Sequence, residues 1–241
     1  MSLVFKIIHA FIPQSFIKKL KIKYNVPDME WSIRNLFNNG FRPKTVLDIG
    51  AFEGEWTLMC STIFNDAKFI MFEAQESKTE KFNMLKSNKV DYHIGLLGPE
   101  LNEKSKFYVN ETVSSALPET AKDLQDYIEI PMYTVDEVLK MKGVEKADFI
   151  KLDVQGFELE VLKGASIALE TAEVVLMEVS LIEINKGAPL IHEVMQFMVS
   201  RGFVCYDICS IVRRPLDKAL WQTDLIFVNS TSPLVSSKKY Q

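Results

Sequence analysis

The sequence is poor in the residues from which disulfide scaffolds, zinc centres and phosphate cradles are built. Its three cysteines, Cys60, Cys205 and Cys209, form no Cys-x-x-Cys pair and fall in apolar stretches. That distribution reads as reduced core thiols and sets aside a disulfide framework or a zinc site. The three histidines, His9, His93 and His192, lie far apart and share no His-x-His or His-Glu-x-x-His spacing, so metal is not indicated. Basic residues do not outnumber acidic ones: 28 Lys and Arg against 32 Asp and Glu give a net charge of −4. A chain of that balance offers no basic field to a polyphosphate backbone, and nucleic acid is not expected as a partner. There is no apolar run long enough to cross a bilayer, and no positive n-region leading into an apolar core and a small-residue cleavage site. The expected location is the cytoplasm.

What is present suits one large globular domain: 241 residues, 47% hydrophobic and 25% charged. The charge is unevenly spread. Residues 1–27 hold Lys6, Lys18, Lys19, Lys21 and Lys23 and no acid, a net +5 against −9 for the remainder. Within them Leu3, Val4, Ile7, Ile8, Phe11 and Ile12 recur at the spacing of one helix face, and Pro13 ends that turn. The pattern predicts an N-terminal helical arm over 1–43. Two roles fit it: packing on the domain or on a second subunit, or lying through residues 1–24 on an anionic membrane surface as a peripheral contact.

From residue 44 to 230 short apolar runs alternate with longer amphipathic stretches. The runs are 46–49, 69–72, 90–94, 149–152, 174–179, 203–208 and 225–228, and the helical stretches fall around 55–64, 77–87, 156–169 and 189–201. Alternating strands and helices predict an α/β fold, a parallel sheet covered by helices on both faces. Gly164 and Gly202 fall near helix ends, where glycine can take a left-handed cap conformation. Residues 98–133 break the alternation with a polar run, a strand near 107–109 and the small polar cluster Thr112, Ser114 and Ser115. An insertion of this kind is a candidate substrate loop. A polar tail follows, 231–241.

In an open α/β sheet, ligands bind at the carboxyl ends of the strands, so the turn after the first strand, TVLDIGAFEGEWTLM over 45–59, is where a cofactor belongs. The dinucleotide pattern G-x-G-x-x-G is not met: the glycines are Gly50 and Gly54, with Phe52 and Glu55 in the other places. Between residues 45 and 67 there is no lysine or arginine, whereas Asp48, Glu53 and Glu55 are all acidic. A phosphate here would meet repulsion of about 1 kcal/mol or more per close pair. A cationic ligand suits the turn better, and S-adenosyl-L-methionine carries a sulfonium and an ammonium but no phosphate. Its ribose diol needs an acceptor, and Glu73 ends the second strand where an acid serves that purpose in such sheets.

These motifs together resemble the FkbM family of S-adenosylmethionine-dependent methyltransferases. The likeness runs over about residues 44–229 and rests on TVLDIGAFEGEWTL, FIMFEAQ, TVDEVL at 134–139, FIKLDVQGFELEVLKGA at 149–165 and DLIFVN near the end. It implies a Rossmann-like class I methyltransferase fold with a mostly parallel seven-stranded sheet flanked by helices. It further implies O-methylation of a hydroxyl on a sugar, glycan or other small-molecule acceptor. The cofactor contacts expected are Asp48, Gly50, Ala51, Phe52, Glu53, Gly54, Glu73, Ala74 and Asp153. The chain departs from the family's usual residues at Phe52 (Asn), Ala74 (Pro) and Gln155 (Glu).

An aliphatic hydroxyl attacks poorly until a base begins to take its proton. Asp153, at the carboxyl end of its strand, is the first candidate base; Lys151, two residues earlier, shares its side by the strand period. Glu178 ends the next apolar strand, and two neighbouring carboxylates push one of their pKa values upward. Lys151 either lowers the pKa of the acceptor hydroxyl or pairs with a carboxylate. Glu158 reads as a helix-start acid, His93 as a residue near the cleft and His192 as one on a helix away from it. The Asp153-Val-Gln-Gly run differs from the Asn/Asp-Pro-Pro-aromatic run of base amino-methylases, which argues against a nucleobase acceptor. Two alternatives stay open: an adenine-nucleotide-dependent oxidoreductase, and a methyltransferase-like binding module without catalysis.

Overall fold

The structure, a computed structural model, describes residues 14–109, 114–119, 126–183 and 185–237. Its strands in chain order are β1 (Thr45–Ile49), β2 (Lys68–Glu73), β3 (Val90–Ile94), β4 (Leu96–Leu97), β5 (Asn102–Tyr108), β6 (Tyr127–Tyr133), β7 (Phe149–Leu152), β8 (Val174–Ser180), β9 (Phe203–Ile208), β10 (Val212–Arg213) and β11 (Leu220–Asn229). Its helices are α1 (Gln14–Lys23), α2 (Met29–Asn38), α3 (Glu55–Ser61), α4 (Thr79–Leu85), α5 (Val135–Met141), α6 (Glu158–Lys163), α7 (Ser166–Thr171) and α8 (Ile191–Ser200). Every apolar run of the sequence is a strand of one sheet, ordered β3-β2-β1-β7-β8-β11. The strands from β3 to β8 are all parallel, and β11 is antiparallel to β8.

The sheet has eight strands where seven were expected, because one edge position is shared. β9 pairs with the part of β11 from Leu225 to Asn229, and the short β10 pairs at Leu220 and Gln222. The sheet is two-sided, and the period of two sorts its residues. Leu47, Ile49, Ile150, Leu152, Val175 and Met177 face one core with Val138, Leu162 and Met198 of α5, α6 and α8. Val46, Phe69, Phe149 and Ile226 face the other with Cys60 of α3 and with Ile33 and Leu36 of α2. Burial on both faces is why these runs lack alternation in the sequence.

Helices α1 and α2 fall within the arm expected over 1–43 but beyond its apolar pattern at 3–12, and α5 falls outside every helical stretch expected. α2 starts at Asp28, whose side chain accepts from the Trp31 amide at 3.2 Å, and it buries Ile33 and Leu36 completely. α5 starts at Thr134, whose hydroxyl accepts from the Glu137 amide at 3.2 Å. The stretch expected as one helix over 156–169 is two, α6 and α7. The break falls at Gly164, where a side chain would meet the Gly98 carbonyl oxygen at 2.1 Å. Gly164 is not left-handed, with φ −84°, whereas Gly202 at the end of α8 is, with φ +83°. The insertion supplies β5 and β6, which join β4 just before it in a separate three-stranded sheet, β4-β6-β5, so the strand expected near 107–109 is the end of a longer one. Leu3 to Pro13 and Thr112 lie outside the described residues. Cys60 and Cys209 are buried, but Cys205 is exposed on edge strand β9 and is not a core thiol.

Candidate active site

The carboxyl ends of β1, β2 and β7 meet at the glycine turn. Gly50 has φ +74°, and a β-carbon there would lie 1.8 Å from the Asp153 carbonyl oxygen, so only glycine lets the turn pass β7. The Gly50 and Ala51 amides both donate to the Phe72 carbonyl at 3.0 Å, which binds the turn to β2 as well. Gly54, with φ +78°, leads into α3.

The acids of this turn, Asp48, Glu53 and Glu55, do not line the cavity that opens beside it. Asp48 is wholly buried, 3.1 Å from the Lys151 ammonium and accepting from the Thr57 hydroxyl at 2.7 Å. Glu53 pairs with Lys78 at 3.3 Å and Lys81 at 3.8 Å, and Glu55 is exposed at the start of α3. Lys78 also lies 3.7 Å from the centre of the Phe52 ring. Two of the three acids of the turn are therefore paired with lysines from elsewhere in the fold, and its repulsion of phosphate is weaker than the bare sequence suggests.

A cavity of about 220 Å³ opens beside the turn, and its carboxylates are Glu73 and Asp153. Glu73 is nearly buried; its two oxygens accept from the Phe52 amide at 2.9 Å and the Gln75 amide at 3.0 Å. Held by one amide each, both oxygens keep lone pairs for a diol. Phe72, Leu96, Leu97, Phe107 and Phe157 supply apolar wall, and Gly50, Phe52, Ala74 and Ser115 complete much of the rest. An apolar slot with a fixed carboxylate fits a nucleoside that brings hydroxyls and no phosphate. Phe107, Leu96 and Ser115 come from the insertion and its approach, which carry no cofactor motif; Phe107 and Ser115 were expected only as parts of a candidate substrate loop, and nothing in the sequence marked Leu96.

Asp153, with 39% of its side chain exposed, marks the other end of the cavity. Behind it lies an acid cluster. Lys151 is buried, donates to the Gly50 carbonyl at 2.9 Å and sits 3.7 Å from Asp153. Burial opposes its charge, but Asp48 and Asp153 overcome that and push its pKa up to about 12. It is thus a fixed cation under the turn and does not line the cavity. Glu178 accepts from Gln155 Nε2 at 3.0 Å and Gln222 Nε2 at 2.7 Å. Burial first, then Asp153, Glu158 and Asp224, raise its pKa to about 9, so it is a neutral acid at pH 7. Glu158 accepts from the Val154 and Gly156 amides at 3.0 and 3.1 Å; burial still raises its pKa to about 7. Asp224, raised by burial and bonded to Ser210, completes the cluster from β11. His93 does not line the cavity; it packs edge-on against Tyr133 at 5.0 Å, and burial lowers its pKa. His192 is exposed on α8.

A mainly parallel sheet with one antiparallel strand near its edge, a glycine turn after β1 and an acid ending β2 define a Rossmann-like class I methyltransferase. Residues 48–205 match the family described as the Methyltransferase FkbM domain. The chain belongs to that family, and its cofactor is S-adenosyl-L-methionine, which sets aside the adenine-nucleotide-dependent oxidoreductase kept as an alternative. No curated protein matches it in sequence. Among solved structures it is similar to precorrin-6y C5,15-methyltransferase from Geobacter metallireducens GS-15, at 9% identity and TM-score 0.47, covering 83% of this chain and 86% of that one. It is also similar to magnesium protoporphyrin IX methyltransferase from Synechocystis PCC 6803 with bound SAM, at 10% identity and TM-score 0.47, covering 83% and 79%.

Proposed function

We propose that this protein transfers a methyl group to a hydroxyl of a sugar, glycan or other small-molecule acceptor, with Asp153 as the base. The observation that carries this reading is the Asp153 carboxylate: it lines the cavity, stays partly open to solvent, and is the acid of the cluster that an acceptor can reach. The cofactor would be held by the turn from Gly50 to Phe52, by Glu73 at its hydroxyls and by the apolar wall around Phe72 and Leu97. When bound it supplies a methyl group activated by a sulfonium. The chain's own contribution is alignment, exclusion of water by the aromatic wall, and proton removal. Asp153 accepts the hydroxyl proton as the oxygen gains its carbon bond, and Lys151 behind it keeps a positive charge near the developing alkoxide. A nitrogen acceptor would need no such base if it arrived uncharged, so the carboxylate favours oxygen.

The test pairs calorimetry with transfer. Wild-type protein and Asp153→Asn are expected to bind S-adenosylhomocysteine equally. Radiolabelled methyl transfer into a cell extract is expected to fall about 10²- to 10⁴-fold in the variant, the range of general-base catalysis. Undiminished transfer by Asp153→Asn would remove the base; binding without any labelled acceptor would favour the binding-module alternative.

A further inference from the structure

Gln155 occupies a junction that the chemistry above does not explain. Its side-chain nitrogen donates to Asp153 Oδ1 and to Glu178 Oε1, each at 3.0 Å, so both of its N–H bonds end on acids. The Asp153 carboxylate can only accept, so the nitrogen end of the amide faces it. Gln155 has φ +55°, a left-handed conformation that strains a non-glycine residue. That backbone is held from outside: the Gln155 carbonyl accepts from the Ser115 hydroxyl at 2.9 Å and from the Asn185 amide. Ser115 and Asn185 are themselves buried, and Ser115 lines the cavity from the insertion.

We propose that Gln155 is a positioning residue: its amide clamps one oxygen of Asp153 against Glu178 and leaves the other toward the acceptor, while its carbonyl fastens that clamp to the insertion at Ser115. The inference rests on Asp153 being the base. A carboxylate in place of this amide would lose both donors and set a third acid between two others. The amide instead stabilises the anion of Asp153 from one side, as Lys151 does from the other. The charged and titratable groups around Asp153 are Lys151 on its own strand, Asp48 on β1, Glu178 on β8, Asp224 on β11 and Glu158 on α6. Asp153 Oδ2, 3.7 Å from the Lys151 ammonium, is the oxygen left for the hydroxyl proton.

The experiment is carboxyl-carbon NMR titration of the full chain, with Asp153→Asn and Glu178→Gln to assign the signals, and S-adenosylhomocysteine binding by calorimetry as the check on the fold. Gln155→Asn keeps an amide and tolerates the left-handed backbone but is one carbon too short to span both acids. It is expected to raise the midpoint of the Asp153 titration by about one pH unit, with ligand binding kept. Gln155→Glu, of the same shape, is expected to move the Asp153 and Glu178 midpoints further upward, and it serves alone if Gln155→Asn does not fold. Midpoints of Asp153 unmoved in both variants would overturn the clamp. The two ideas fail separately: if Asp153→Asn retains full methyl transfer while Gln155→Asn moves the Asp153 midpoint, the base is wrong and the clamp stands. If Asp153→Asn is inactive and the midpoints stay put, the base stands and the clamp is wrong.

Discussion

At the scale of single residues, Asp48, Asp153, Glu178 and Asp224 surround the Lys151 ammonium, and Glu158 adds its charge through Asp153 and Glu178. One cation cannot balance them, and the cluster stays folded because some of its acids hold their protons. Glu178 is the clearest case, and its protonation makes a prediction with a definite sign. Between the ordinary carboxylate value and about 9, the folded state keeps a proton that the unfolded chain has released. Raising the pH through that window therefore favours unfolding. Glu178→Gln keeps the acceptor oxygen for Gln155 and Gln222 but has no proton to lose. Urea unfolding at pH 5, 7 and 9 is expected to show wild-type stability falling relative to this variant, by at most about 1.4 kcal/mol per pH unit. Parallel stability curves would mean that Glu178 is ionised in the fold.

At the scale of elements, α2 changes how the N-terminal region is understood. It lies inside the helical arm expected over 1–43, but the helix is short and its apolar face falls beyond the pattern at 3–12 on which that expectation rested. Packing gives it its importance: Ile33 and Leu36 are fully buried against Val46, Phe69 and Phe149. Leu36→Ala is expected to cost about 2–5 kcal/mol, the range for a large core truncation, measured as a lowered urea midpoint with an unchanged slope. A loss below about 1 kcal/mol would mean that the helix is dispensable to the core. The insertion shows the opposite relation. Its polar sequence hid a second small sheet because Lys104, Lys106 and Glu129 face solvent, leaving Phe107 and Met132 as its buried anchors.

At the scale of the whole molecule, the charge of the chain is divided between a basic first 27 residues and an acidic remainder. On α1 and the turn after it, Phe16, Leu20, Ile22 and Tyr24 are exposed, and so are Lys19 and Lys23. Apolar and basic side chains exposed together suit an anionic lipid surface. The expected result is that the full chain co-sediments with phosphatidylserine vesicles, that high salt weakens the binding, and that removing residues 1–24 abolishes it. Equal sedimentation of both forms would assign the arm to packing. None of the described helices is long and apolar enough to cross a membrane.

The sequence by itself determined the seven apolar strands of the main sheet, the glycine turn and the family, because each depends on local pattern: buried runs, a left-handed glycine, residues at fixed spacing. It also pointed to Glu73, which ends β2, and Asp153, which follows β7, and both line the cavity because the carboxyl ends of the strands meet there. Which charges a ligand meets was decided only in three dimensions. Asp48 and Glu53 look alike along the chain, yet one is cancelled by Lys151, 103 positions away, and the other by Lys78 from the next loop. The Gln155 junction likewise joins Asp153, Glu178, Ser115 and Asn185, which come from separate segments and have no common spacing to read. Electrostatic energy depends on distance and burial in space, and neither is written in the order of residues.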